Sequence, residues 1–214
     1  IVLCANISNG IGWASVMSLN IYLPMFLQAV HGLSPTVSGL HLASLMMTVN
    51  ASALVSAQIT ARITNYKYPP LLSLLLCIGA CLYLALHTQD IGMVEFDVVM
   101  LLIGIGFGPV APVTTVAMQN AVELHQMGIA VGTATFGRSL MATGLIAVYG
   151  VIVLGDLHGL DLRNAAAIAA NLFGDKAEAA DHFRTIFLAA TGAFTVSFLS
   201  LALMEQKPLL TERR

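Results

Sequence analysis

Polar and small residues recur in this chain at helical spacing inside long apolar runs. Six runs, at approximately 3–29, 37–60, 69–88, 94–118, 127–154 and 184–204, approach or exceed the length of a membrane helix. About 20 helical residues cross about 30 Å of hydrocarbon. In the first run Asn6, Asn9, Trp13, Met17, Asn20 and Pro24 follow one another at intervals of three or four and so share one helical face. In the second, Ser38, His41, Ser44, Thr48, Ser52 and Ser56 form a stripe, and Ser34-Pro35 ahead of it supplies an N-cap and a first-turn proline. The fourth run carries Gly104, Gly108, Pro112, Thr115 and Gln119 on one face, with Asp97 two turns upstream. The fifth carries Gly128, Gly132, Thr135, Ser139 and Ala142, with Arg138 at the stripe's edge. The third and sixth runs have no such stripe.

The order is therefore striped, striped, plain, then the same again. Three helices repeated within six is the internal symmetry expected of secondary transporters. The pattern predicts an all-α, polytopic membrane protein of six helices in a 3+3 repeat. Polar faces are costly against hydrocarbon, so the four striped helices should turn them inward and the two plain helices should pack outside. Asn9, Asn20, Thr48, Ser52, Thr115, Gln119, Thr135 and Arg138 are the candidate lining of a substrate cavity. Each hydroxyl taken alone has a local alternative, a bond back to a carbonyl of its own helix. Gly104-x-x-x-Gly108 lies beside Pro109 and Pro112, each of which frees a carbonyl and permits bending.

Composition changes the picture in one respect, the solvent. The chain of 214 residues is 57% hydrophobic and 9% charged, with a mean hydropathy of +0.85. A soluble domain carries about 25% charged residues, so lipid is the natural surrounding here. The net charge of -2 and the lack of a basic tract argue against nucleic acid as a partner. Cys4, Cys77 and Cys81 all lie in apolar runs and are expected to act as small hydrophobes, with a metal or redox pair at Cys77 and Cys81 as the alternative. No cofactor, metal or catalytic group is predicted.

The loops suggest an orientation. Arg62, Lys67, Lys207, Arg213 and Arg214 fall on one side, and only Arg163, Lys176 and Arg184 on the other. Five basic residues against three predict that both chain ends are cytoplasmic. The 155–182 loop, which contains LRNAAAIAANLF, is predicted to hold a helix at the outer interface. The chain enters an apolar helix at Ile1 with no basic region ahead of it, unlike a signal peptide, and is expected to lack an N-terminal part.

Three blocks in order, Tyr22–Leu40 (YLPMFLQAVHGLSPTVSGL), Ile59–Leu72 (ITARITNYKYPPLL) and Gly104 through Gly144, resemble the C-terminal six-helix domain of major facilitator transporters. The likeness is greatest to the fourteen-helix drug:proton antiporters of the EmrB/QacA type. That resemblance implies a proton-coupled exporter of amphipathic drugs or other small molecules, with its cavity between two six-helix halves in a bacterial inner (plasma) membrane. The partners it implies are membrane lipids, protons, a small-molecule substrate and the N-terminal half. It also carries over Gln119 and Arg138, which match residues common in the family. At the cytoplasmic turn where the family often has an aspartate and a glycine-rich basic pattern, this sequence keeps only Arg62 and Lys67, with Ala61 before the arginine and no glycines.

Arg138 costs about 3 kcal/mol at a helix centre on insertion scales, so compensation is expected. Either neighbouring carbonyls hold it, or it pairs with a carboxylate or an anionic substrate. Asp97 and Arg138 are the candidates for proton coupling, although Asp97 is expected to sit solvated among the headgroups. His41 and His125 are expected to be ordinary polar residues. An intramembrane serine protease is rejected, since Ser139 follows Arg138 without a Gly-x-Ser-Gly setting and no histidine lies deep in another helix. The competing reading is a self-contained six-helix channel or transporter subunit that works as a homodimer.

Overall fold

The computed structural model describes residues 2–60, 67–154 and 176–204. They form seven α-helices and one 3₁₀ turn, in the order α1 (Val2–His31), α2 (Pro35–Thr60), α3 (Tyr68–Leu86), α4 (Met93–Phe107), α5 (Val110–Ala121), the 3₁₀ turn Leu124–Gln126, α6 (Met127–Leu154) and α7 (Lys176–Ala202). Among the described residues six helices are long and apolar enough to cross a membrane, α4 and α5 counting as one span from Met93 to Ala121. The predicted six spans are all present. The last helix starts eight residues before the expected 184, at Lys176. Arg62 and the predicted interfacial segment up to residue 175 lie outside the described residues.

Local chemistry sets the boundaries. Gly32 takes φ +67° and reverses the chain between α1 and α2, a conformation that costs a glycine little. Ser34 then accepts the Val37 N–H on its Oγ at 3.4 Å, the cap expected ahead of Pro35. The α4–α5 break falls at Gly108-Pro109, where the proline can give no N–H to the preceding turn. Lys67 closes the far end of α7, its Nζ donating to the carbonyl of Ala202 at 2.7 Å and to that of Met204. A cation on the last carbonyls of a helix complements its dipole.

The packing centre is α1, which touches α2, α5, α6 and α7, while α3 fits between α4 and α7. Of the most apolar stretch of α1, 61% of residues are buried, against 17% in α2 and 11% in α6. The structure therefore departs from the expected layering. The plain helices α3 and α7 are more enclosed than the striped helices α2 and α6, whose outer faces are left open among the described residues. Stripe polarity reports that a face avoids lipid; it does not report that the covering element belongs to the same six helices.

Close approach explains several small residues. A Cβ on Gly104 would stand 2.7 Å from Thr48 Cβ, and one on Gly106 would stand 2.6 Å from the Ser73 carbonyl. By contrast Gly128, Gly132 and Gly144 on α6 have open space where a Cβ would go. Helix pairing is completed by hydroxyls. Ser197 on α7 donates to the Ser8 carbonyl at 2.8 Å, and Tyr22 donates to the Ile146 carbonyl at 3.0 Å. The three cysteines are free thiols, and Cys77 donates to the Ile103 carbonyl at 3.2 Å.

Candidate functional site

The asparagine face of α1, the last turns of α5 and the first half of α6 meet around a small cavity of about 50 Å³. Its walls include Asn9, Thr115, Met118, Thr135 and Arg138. Geometry explains why these residues meet. At 1.5 Å per residue, Asn9 lies about 10 Å from the start of α1, Thr115 about 9 Å from the end of α5 and Arg138 about 16 Å from the start of α6. The start of α1, the end of α5 and the start of α6 lie at the same end of the bundle, so all three residues reach intermediate depth.

Arg138 is half-buried, and its guanidinium carbon lies 4.7 Å from the centroid of the Trp13 ring. This cation–π contact holds the charge over the indole ring. Among the described residues no carboxylate forms an ion pair with it; those ion pairs join His41 to Asp97, His125 to Glu123 and Arg184 to Asp181. Opposite stands Asn9, 7% exposed, with its Oδ1 buried and lacking a hydrogen-bond partner. Thr115 and Thr135 donate to carbonyls of their own helices, at 2.8 Å to Ala111 and 2.9 Å to Val131, which leaves their oxygens free to accept. The niche thus offers one fork of cationic donors and three acceptors.

Four of the eight predicted lining residues are gathered there. The other four lie elsewhere. Asn20 donates to the Val16 carbonyl at 3.1 Å and reaches Met46 Sδ at 3.5 Å, across the α1–α2 contact. Thr48 lies over Gly104, and Ser52 Oγ donates to the Gly104 carbonyl at 2.9 Å, so both serve the α2–α4 contact. Gln119 is half-buried one turn beyond Thr115, outside the niche. The α2 stripe also uses the local alternative: Ser38, Ser44, Thr48 and Ser52 all donate to carbonyls within their own segment.

Asp97, expected to be solvated, is partly exposed and has a side-chain partner. Its Oδ1 lies 2.7 Å from His41 Nδ1, and the pair bridges α4 and α2, with side-chain exposures of 39% and 22%. The two residues are 56 positions apart, and no local spacing signals the pairing. Trp13 was likewise read only as a member of a stripe; its partner Arg138 lies 125 positions away, beyond the reach of a helical period.

The Major Facilitator Superfamily profile matches residues 2–146, which is more than half of the chain. The chain belongs to the Major Facilitator Superfamily. It is thus an integral, multi-pass membrane protein of a transporter family. The matched stretch contains the whole Arg138 niche and the His41–Asp97 pair.

The chain is also similar to individual proteins. A tetracycline resistance determinant from Streptomyces rimosus is 31% identical over 164 residues, covering 75% of this chain and 47% of that protein. The multidrug transporter protein MdtP of Bacillus subtilis is 25% identical over 134 residues, covering 63% of this chain and 24% of its own length. The efflux pump dotC of Dothistroma septosporum is 29% identical over 134 residues, covering 62% and 23% respectively. The chain spans about half the length of the first of these and about a quarter of the others.

Proposed function

We propose that this chain is one six-helix half of a proton-coupled drug exporter of the fourteen-helix EmrB/QacA type, working by alternating access in a bacterial inner membrane. Its substrates are amphipathic drugs or similar small molecules, and a second six-helix half completes the cavity. Three relatives, a tetracycline resistance determinant, a multidrug transporter and an efflux pump, support the direction of transport and the substrate class.

One observation carries the reading. Arg138 is half-exposed at intermediate depth on α6, the least covered of the six spans. An arginine there cannot face hydrocarbon without a large penalty, so the open side of α6 borders water or another protein surface. Beside it Thr135, Ser139 and Thr143 are exposed, and three glycines leave room for close approach. A half-cavity has this character. The other candidates lie outside the niche, Asn20 at the α1–α2 contact, Thr48 and Ser52 at the α2–α4 contact and Gln119 one turn beyond Thr115, and Asp97 joins Arg138 as a proton-coupling candidate through its partner His41.

The test compares the chain alone with the chain joined to its second half in everted membrane vesicles, using drug-dependent release of a preformed pH gradient as the readout. Only the two-half protein should dissipate the gradient. Activity from the 214-residue chain alone would overturn the two-half reading in favour of a homodimer of six-helix subunits.

A further inference from the structure

We infer that the niche bounded by Asn9, Trp13, Thr115, Thr135 and Arg138 is the subsite for an ionised acid group on the substrate, one that carries a neighbouring hydroxyl or amide N–H. A hydroxy-substituted aromatic carboxylate has this chemistry. The inference rests on the transporter reading and adds a substrate class to it: anionic and zwitterionic amphipaths are accepted, and permanently cationic ones are disfavoured.

Three features of the niche lead to this class. First, the Arg138 guanidinium carbon lies 4.7 Å from the Trp13 ring centroid, and among the described residues its N–H groups make no hydrogen bond or ion pair. N–H edges left in this way can grip a planar oxyanion in two places. Second, no acidic side chain among the described residues claims those edges. Asp97 is committed to His41, and Glu123 lies in the turn after α5, highly exposed and 3.3 Å from His125. Third, Asn9 Oδ1 is a buried acceptor without a donor. Buried polar atoms are seldom left unpaired, and those that are call for an explanation.

The acceptors decide the second half of the class. The Thr115 and Thr135 hydroxyl protons are used within their own helices, so toward the niche these residues present oxygen, as does Asn9. A bare carboxylate would satisfy Arg138 and leave Asn9 orphaned. An acid with an adjacent O–H or N–H satisfies both at once. The volume of about 50 Å³ suits one functional group and not a whole ligand, since pockets that enclose drug-sized ligands run to about 300–1,000 Å³. The apolar body of the substrate must therefore lie outside, along the open face of α6. A quaternary ammonium would bring a second positive charge up to an unneutralised guanidinium in a poorly screened site.

The experiment uses the full two-half transporter in lipid nanodiscs and three probes of similar apolar size: 3-hydroxy-2-naphthoate, its methyl ether, and a naphthyl trimethylammonium. Wild type should bind the hydroxy acid at least tenfold more tightly than the ether and the cation. Arg138→Gln should remove that preference for the acid while leaving cation binding equal or stronger. Asn9→Leu should erase the difference between the hydroxy acid and its ether without affecting the cation. Arg138→Lys, which keeps the charge but loses the fork, should fall between wild type and Arg138→Gln, and it provides the comparison if Arg138→Gln does not fold. The inference fails if Arg138→Gln weakens all probes alike, which would mean that the arginine pairs with a carboxylate of the other half. It also fails if wild type binds the cation as well as the acid. In that last case, pH-gradient-driven transport of the cation in proteoliposomes would leave the transporter reading standing.

Discussion

Adding one methyl group to Gly106 should separate α3 from α4, whereas the same change at Gly79 should do nothing. The two glycines belong to one helix pair, Gly79 to α3 and Gly106 to α4. A Cβ on Gly106 meets the Ser73 carbonyl at 2.6 Å, Cys77 Sγ at 2.7 Å and the Cys77 amide nitrogen at 2.9 Å. Two of those three atoms are backbone and cannot rotate away. Restoring ordinary contact near 3.4 Å requires the helices to part by roughly 0.8 Å, and a gap of about 0.5–1 Å forfeits a quarter to a half of each dispersion contact along the seam. The Cys77 bond to the Ile103 carbonyl would stretch with it. Overpacking of this kind costs about 1–3 kcal/mol. For a domain of this size about 1 kcal/mol moves the melting midpoint by about 2–4 °C, so Gly106→Ala should lower it by about 2–12 °C. At Gly79 a Cβ meets nothing within 4 Å, and the change should stay within about 0.5 kcal/mol of neutral. The assay heats detergent-solubilised protein through a temperature series and measures the monodisperse fraction by fluorescence-detected size exclusion. Equal midpoints for the two variants would refute the reasoning, because they differ only in what the new methyl group touches.

Two more predictions concern the ends of the helices. His41→Ala breaks the contact with Asp97 and should reduce proton-driven efflux in the two-half protein, as should Asp97→Asn, while each alters stability by no more than about 1 kcal/mol because the pair is partly exposed; normal efflux in both variants would remove the pair from the coupling scheme. Single cysteines at Ser34 and Gln89 in a cysteine-free background should react with an impermeant thiol reagent added outside, and one at His125 should not, with the opposite pattern reversing the orientation read from the basic residues.

Much of the architecture could be read in the sequence because it rests on local rules. Span number follows from length and apolarity, and stripe membership follows from the helical period. The α1–α2 turn was marked by Ser34-Pro35, and the break in the fourth span by Gly108-Pro109. What could not be read is which face meets which neighbour. The six-residue stripe on α2 looks like a pathway wall, yet Thr48 and Ser52 are used against α4, where glycines let the backbones close up. The sixth run looked plain, yet its Ser197 is fully buried against Ser8 of α1. A single serine in an apolar run gives no periodic signal, so its role depends on a partner 189 positions away. The Arg138 niche was half legible: stripe logic selected Asn9, Thr115, Thr135 and Arg138, but the ring that holds the charge and the carbonyl left without a donor are visible only in three dimensions.

The span formed by α4 and α5 links the two polar sites, and its stiffness is uneven along its length. From Gly104 to Gly108 it lies in close backbone contact with α2 and α3, at distances that leave no room for a side chain. The next turn is different in kind. Pro109 offers no N–H to the carbonyl of Ile105, and Pro112 offers none to that of Gly108, so two rungs of the helix ladder are missing within one turn. Bending is therefore concentrated just past the clamped segment, where kinks in helices commonly have their cause. Asp97 lies before the clamp and Thr115 after it. A change in tilt at Gly108-Pro109 thus moves the wall of the Arg138 niche while the His41–Asp97 contact stays fixed to α2. The arrangement separates a deformable niche wall from a rigid interhelical contact within one helix, and it does so through the placement of three glycines and two prolines.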